Sequence, residues 1–397
     1  MMDTYVLKNQ KKLRYGITTG TCAAACAKAA AKKLLLGIDS DMITLVTPKQ
    51  INVNLPVVLE DAQPSDGKVT YRVQKDSGDD PDVTDGVWIY ATVETVSEIA
   101  FALAKEKHCF FDEQYPNLCL DGGEGVGRIT TDGMEQRIGQ AAINKIPRGM
   151  IFQAVSEVCV LAEYEKPIKI TISIPEGVAL ASKTMNGALG IAGGISVLGT
   201  SGILEPMSER AIVDTIALEI RTRYNRGSRS LLITPGNYGQ KYVENLLSLD
   251  ISRSVKCSNY IGETLDLLVS YGYEKVLLVG NLGKLVKLAA GIMNTHSSVA
   301  DGRMEILALH TVLSGGTSMM AEQIMQCVNT EQVLAYLMKW NLKDAVIRRV
   351  CDQIDKYVKR RVRDQMTVGV VLFSEHYGYL GETTGSHELL ELFRKGE

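Results

Sequence analysis

The sequence predicts a mixed α/β protein in two parts. An N-terminal α+β domain over 1–200 carries a mixed or antiparallel sheet, and a Rossmann-like parallel-sheet α/β domain over 201–397 ends in a helical part. Three observations lead there. A chain of 397 residues is long for one core. Ile43 to Val96 shows the apolar–polar alternation of strands. After Ser208, short apolar runs alternate with amphipathic segments across short connections, the pattern of a parallel sheet with crossover helices.

In chain order, Arg14–Thr21 leads into the alanine-rich run Cys22–Ala31. Alanine is the best helix former, and Thr21 is the expected cap of the first turn. Cys22 and Cys26 fall one turn apart; small core residues explain them better than a soft-metal site. The Thr18–Thr21 turn at the helix start is an expected anion cradle. It resembles the glycine-serine loop before an alanine-rich helix in the galactokinase–homoserine kinase group, which raises a phosphotransferase reading. No G-x-x-x-x-G-K-[ST] pattern supports that reading.

Strands are expected around Val69–Val73 and Val87–Val93, joined by the acidic loop Lys75–Gly86. Asp76, Asp79, Asp80 and Asp82 crowd like charges there, which costs energy without cations or hydrogen-bond donors. The spacing is not that of an EF-hand. Asp121–Arg128 is a glycine loop with a weak dinucleotide match. A helix is expected over Met150–Tyr164 and a strand over Lys169–Ile174, and Arg128 and Arg148 sit beside turns where a guanidinium can reach a carboxylate.

Thr184–Ser208 is punctuated by Gly187, Gly190, Gly193, Gly194, Gly199 and Gly202. Such density implies positive φ or close backbone approach. A short strand is expected at Ile195–Leu198, a hydroxyl-rich turn at Gly199–Gly202, and Ser208 as the cap of a helix to Tyr224. Strands then follow at Ser230–Thr234, Val255–Ser258 and Lys275–Val279, with helices at Gln240–Leu247, Gly262–Tyr271 and Lys284–Ile292. Ligands of such sheets bind beyond the C-terminal strand ends. Those ends carry Thr234–Gly239, Ser258–Asn259 and Gly280–Lys284, followed by the polar loop around His296, Asp301 and Arg303. Glu322–Arg363 reads as helical, and Met366–Phe373 as a strand at a sheet edge.

A net charge of −3 gives no case for nucleic acid. Met1–Arg14 has no apolar run, no segment is long enough to span a bilayer, and the eight cysteines form no C-x-x-C pair. A cytoplasmic protein with reduced thiols is expected.

Six stretches in fixed order, LRYGITTGTCAAACAKAA, KDSGDDPDVTDG, GGEGVGRIT, AINKIPRGMI, KTMNGALGIAGGISVLGTSGILEPMS and GKLVKLAAGIMNTHSSVADGRME, run from Leu13 to Glu305. Together they resemble the CbiD family, the cobalt-precorrin-5B C(1)-methyltransferases of anaerobic cobalamin synthesis. The family pattern usually carries histidine where this chain has Asp85 and Asn281, and proline where it has Lys145. Neither of the first two positions therefore supplies an imidazole.

The resemblance implies S-adenosylmethionine as methyl donor and a cobalt-bearing polycarboxylate tetrapyrrole as acceptor. Cobalt then comes with the substrate, and no protein-held metal is expected. The family reading leaves room for a homo-oligomer or transient contact with other cobalamin-pathway enzymes. The donor is expected on the C-terminal domain, at Thr234, Gly236, Asn237, Gly280 and Asn281, with Gly199 and Thr200 contributing. Lys75, Arg128, Arg148, Lys284 and Arg303 suit the acceptor's carboxylates, largely on the N-terminal side. Asp79, Asp80 and His296 are the general-base candidates. Two other readings remain, the phosphotransferase and a non-catalytic tetrapyrrole carrier.

Overall fold

The computed structural model describes residues 5–8, 10–63, 66–132, 134–184, 186–236, 249–250 and 254–394. The chain divides into two compact units, Met1–Ser208 and Glu209–Glu397, so the Gly199–Gly202 turn stays with the first.

The N-terminal unit is built on a six-stranded mixed sheet. Its order is Val58–Gln63, Lys68–Gln74, Trp88–Thr95, Ile168–Ser173, Leu118–Gly122, Phe110–Phe111. Only Ile168–Ser173 and Leu118–Gly122 run parallel. The register sets Val69, Tyr71 and Val73 opposite Val93, Ala91 and Ile89, all buried, so the alternating apolar set forms one face. The helix Thr19–Leu36 lies against these strands and against the helix Lys145–Leu161. Nine of its side chains (Cys22 to Ala27, and Ala29 to Ala31) are fully buried, because methyl-sized side chains let both neighbours approach. Lys28 reaches Glu157 at 2.7 Å on its polar edge, and Gly37 at φ 70° ends it.

Local expectations shift here. The helix cap is Thr18, in extended conformation, whose hydroxyl accepts the Thr21 N–H. Thr21 lies inside the first turn. The helix expected from Met150 starts at Lys145, since Pro147 fits a first turn where its missing N–H is not needed. Of the strand expected at Ile195–Leu198, only Gly194–Ile195 pairs as a strand, beside Gly125–Val126.

The C-terminal unit holds a five-stranded sheet ordered Ser254–Lys256, Ser230–Thr234, Lys275–Asn281, Thr367–Ser374, Gly378–Glu382. The first four strands are parallel and the last antiparallel. Thr367–Ser374 is thus an inner strand; the edge belongs to Gly378–Glu382. The helix expected at Gln240–Leu247 lies outside the described residues. The one expected at Lys284–Ile292 is two short turns, Leu282–Leu285 and Val286–Ala290, closed by Gly291 at φ 76°. Helices Arg303–Leu313, Ser318–Met325, Thr330–Lys339 and Lys343–Val362 complete the unit's flank. Among the described residues, no helix is long and apolar enough to cross a membrane.

Candidate active site

In the N-terminal unit, the start of the alanine helix is covered by the chain's own backbone. Gly20 N–H donates to Leu198 O (3.0 Å), Thr18 N–H to Gly202 O (3.4 Å), and the Thr21 and Cys22 N–H groups turn back to Thr18. The hydroxyls follow: Thr19 Oγ1 to Leu198 O (3.1 Å) and Thr21 Oγ1 to Gly202 O (2.5 Å). Thr18, Thr19 and Thr21 are buried. These donors are spent on Leu198–Gly202, so the turn holds no phosphate and the phosphotransferase reading fails. Gly199 belongs to the same knot: at φ 140°, a Cβ on it would run into the Thr18 side chain. Its lack of a side chain is thus explained by docking of the segment. Thr200 beside it is exposed.

The acidic loop is laced from within. Arg14 pairs bidentately with Asp76 (2.5 and 2.7 Å), and its N–H donates to Asp79 Oδ2 (2.6 Å). Lys75, only 3% exposed, donates to Ser77 Oγ (2.5 Å) and Asp82 Oδ2 (2.8 Å). Thr84 N–H and Oγ1 both donate to Asp82 Oδ1 at 2.8 Å, and Met207 N–H donates to Asp80 Oδ1 (2.8 Å). Burial alone would raise the Asp82 carboxyl, but the Lys75 charge and these donors hold it below the ordinary carboxylate range. The Arg14 hydrogen bonds hold Asp76 low against its own burial.

Three expected anchors already have partners within the chain. The Lys75 ammonium is enclosed. Arg128 binds Asp121 (2.7 and 3.2 Å), Gly122 O and Gly139 O. Arg148 holds Ile143 O and Glu135, both at 2.8 Å, over the Phe110 ring.

In the C-terminal unit, the parallel strand ends gather a different set. Thr234 is fully buried, yet its hydroxyl has no hydrogen-bond partner among the described residues. A Cβ built on Gly236 would meet nothing within 4 Å among the described residues. Among the described residues Lys284 donates only to Pro235 O (3.3 Å); burial, aided by Lys256 and Lys287, pushes its ammonium below the ordinary lysine range, with Cys257 opposing. Asn281 caps the Gly283 N–H (2.7 Å). Gly280 is explained by packing, since a Cβ there would press on Leu285. Asn237 lies outside the described residues.

The loop after Gly291 is stitched to this end. Buried Lys287 donates to Thr295 O (3.1 Å) and Ala300 O (2.8 Å), and Thr295 binds Asn259 through N–H and hydroxyl. His296 is exposed, and Ser298 N–H donates to its Nδ1 (3.2 Å). A backbone N–H can only donate, so the neutral ring carries its proton on Nε2. In that form Nε2 is a donor, and the proton-accepting lone pair is on Nδ1, where Ser298 already sits. Arg303 is paired with Asp301 (2.5 and 2.9 Å), so this fourth expected anchor is also engaged.

The family model for CbiD matches residues 6–206, and that for the CbiD C-terminal domain matches 294–384. The chain belongs to the CbiD family. A relative from Ruminiclostridium cellulolyticum, named cobalt-precorrin-5B C(1)-methyltransferase, is 41% identical over 94% of this chain and 92% of its own. One of the same name from Alkaliphilus metalliredigens is 37% identical over 99% and 98%. A crystal structure of a cobalamin biosynthesis protein (cbiD) from Archaeoglobus fulgidus is 26% identical, covering 75% of this chain and 87% of that one, with a TM-score of 0.40.

Asp85 and Asn281 both close local turns: Asp85 accepts the Ser77 N–H (2.8 Å), and Asn281 caps its helical turn. Two site features escaped the sequence. Ser374, at the end of the fourth parallel strand, donates to Glu331 (2.7 Å). Recognising that strand as internal would have added its end to the candidate site. Lys287 sits in an apolar run, and only its charge there marks it as a buried clamp.

Proposed function

We propose that this chain methylates C-1 of cobalt-precorrin-5B with S-adenosylmethionine, in anaerobic cobalamin biosynthesis. Near-full-length identity of 41% to a protein named for that reaction carries the reading. The C-terminal strand ends fit a donor that bears a carboxylate and polar groups. Among the described residues they combine a buried hydroxyl without partner at Thr234, open space at Gly236 and an ammonium without carboxylate at Lys284. We assign the donor to this unit.

Bound there, S-adenosylmethionine supplies an electrophilic methyl on a sulfonium. The remaining task is alignment, and orientation alone accounts for much of the acceleration in such displacements. Thr234 hydrogen-bonds the ligand, Lys284 takes a ligand carboxylate, and the Lys287 clamp holds the His296 loop against Asn259. Asp79 and Asp80 each keep one carboxylate oxygen without a partner among the described residues, and either can accept a proton. Cobalt enters with the substrate.

Calorimetry with S-adenosylhomocysteine and with ATP tests the reading. Binding of the first and not the second is expected. ATP binding alone, or binding of neither beside tetrapyrrole binding, contradicts it.

A further inference from the structure

The C-terminal unit carries an open groove of about 820 Å³ between the helices Ile261–Tyr271 and Lys343–Val362. Ligand pockets fall in this size range. Arg360, Arg361 and Arg363 line it, with Tyr357 and Met293. Arg361 is locked by Asp266 through two bonds (2.8 and 2.5 Å). The neighbouring Lys359 is paired along its own helix with Asp355 (2.7 Å). The Arg360 and Arg363 guanidiniums are exposed and have no ion pair among the described residues. Tyr357 lies against Gly291, where a Cβ would meet the ring at 3.0 Å, so a flat apolar surface sits beside the two free charges.

One wall of the groove is tied to the loop that carries His296. Met293 O accepts the Gly262 N–H (3.1 Å), the next residue Asn294 bridges Tyr260, and Thr295 binds Asn259 at the strand end.

We infer that this groove holds the acceptor, with Arg360 and Arg363 taking carboxylate arms and Tyr357 the edge of the macrocycle. The inference rests on the methyltransferase reading and moves the acceptor's anchors from Lys75, Arg128 and Arg148 to the C-terminal unit. Guanidiniums suit carboxylates because they bind them through two parallel hydrogen bonds.

The test compares the full-length chain with Arg360→Gln/Arg363→Gln and Arg360→Lys/Arg363→Lys. Steady-state methyl transfer is measured with and without propane-1,2,3-tricarboxylate as a carboxylate probe. In the glutamine variant, KM for the tetrapyrrole is expected to rise at least about tenfold, with kcat and S-adenosylhomocysteine affinity within about twofold of wild type. The lysine variant should recover part of the loss, and competitive inhibition by the tricarboxylate should vanish with the charges. An unchanged KM in the folded glutamine variant overturns the groove and leaves the methyltransferase reading standing. A wild-type chain that neither binds S-adenosylhomocysteine nor transfers methyl overturns both.

Discussion

The Lys75 ammonium lies 2.8 Å from Asp82 Oδ2, and the lysine side chain is only 2% exposed. A buried cation among aspartates is what makes the acidic loop affordable, so Lys75→Met should leave Asp82 uncompensated. Breaking a buried pair costs about 3–5 kcal/mol, and the lower figure applies because Asp82 stays 23% exposed. The pH dependence has a definite sign. Asp76 and Asp82 both titrate lower when folded, so their stabilisation is present above their unfolded value of about 4. It is lost as pH falls through the folded values. Urea midpoints at descending pH should drop below about pH 4 in wild type, and Lys75→Met should weaken that dependence. A midpoint in Lys75→Met equal to wild type at pH 7 would refute the pairing.

Thr21→Val removes the hydroxyl that holds Gly202 O and keeps the helix. Leaving a buried carbonyl short of a donor costs about 1–3 kcal/mol. Denaturant unfolding should show that loss, while ATP should shift the melting temperature of neither protein. Stabilisation by ATP that disappears in Thr21→Val would restore the phosphate-loop reading.

Gly194 and Gly236 make a contrasting pair. A Cβ on Gly194 would press on Gly125 O, and one on Gly236 meets open space. Gly194→Ala should therefore cost stability, about 1–3 kcal/mol from overpacking. Gly236→Val should melt like wild type and lose S-adenosylhomocysteine affinity by at least about tenfold, or about 1.4 kcal/mol. Undiminished binding by folded Gly236→Val would move the donor away from this strand end.

The contrast also marks how far the sequence could be read. Apolar runs such as Leu231–Ile233 and Val276–Val279 announce a parallel sheet, because strands buried on both faces need continuous hydrophobicity. The glycine density of Thr184–Ser208 was visible as well. So was its cause, since Gly190, Gly193, Gly199 and Gly202 take positive φ and Gly194 lies against the Gly125 backbone; what was not visible is which distant segments meet there, as Gly125, Gly177 and Gly194 do. The arginines follow the same logic. Nothing local to Arg128 or Arg148 reveals that Asp121, Glu135 and three backbone carbonyls already occupy them. The unpartnered Thr234 hydroxyl depends on what surrounds the strand end, which spacing cannot express.

Asp80→Asn separates charge from shape in the acidic loop. The amide oxygen can still accept the Met207 N–H, so the melting temperature should stay within about 2 °C of wild type, as for a surface change of about 0.5 kcal/mol. If a proton leaves to this carboxylate, turnover should fall at least about a hundredfold, in the range of general-base losses. Full activity in the folded variant would remove Asp80 from the chemistry.

The most direct measurement incubates the purified chain with cobalt-precorrin-5B and S-adenosylmethionine labelled in its methyl group, then reads the macrocycle by mass spectrometry and carbon NMR. The expected result is one labelled methyl on the ring at C-1, formed in step with S-adenosylhomocysteine. Recovery of unmodified macrocycle from a chain that binds it, or label at another carbon, would contradict the methyltransferase assignment.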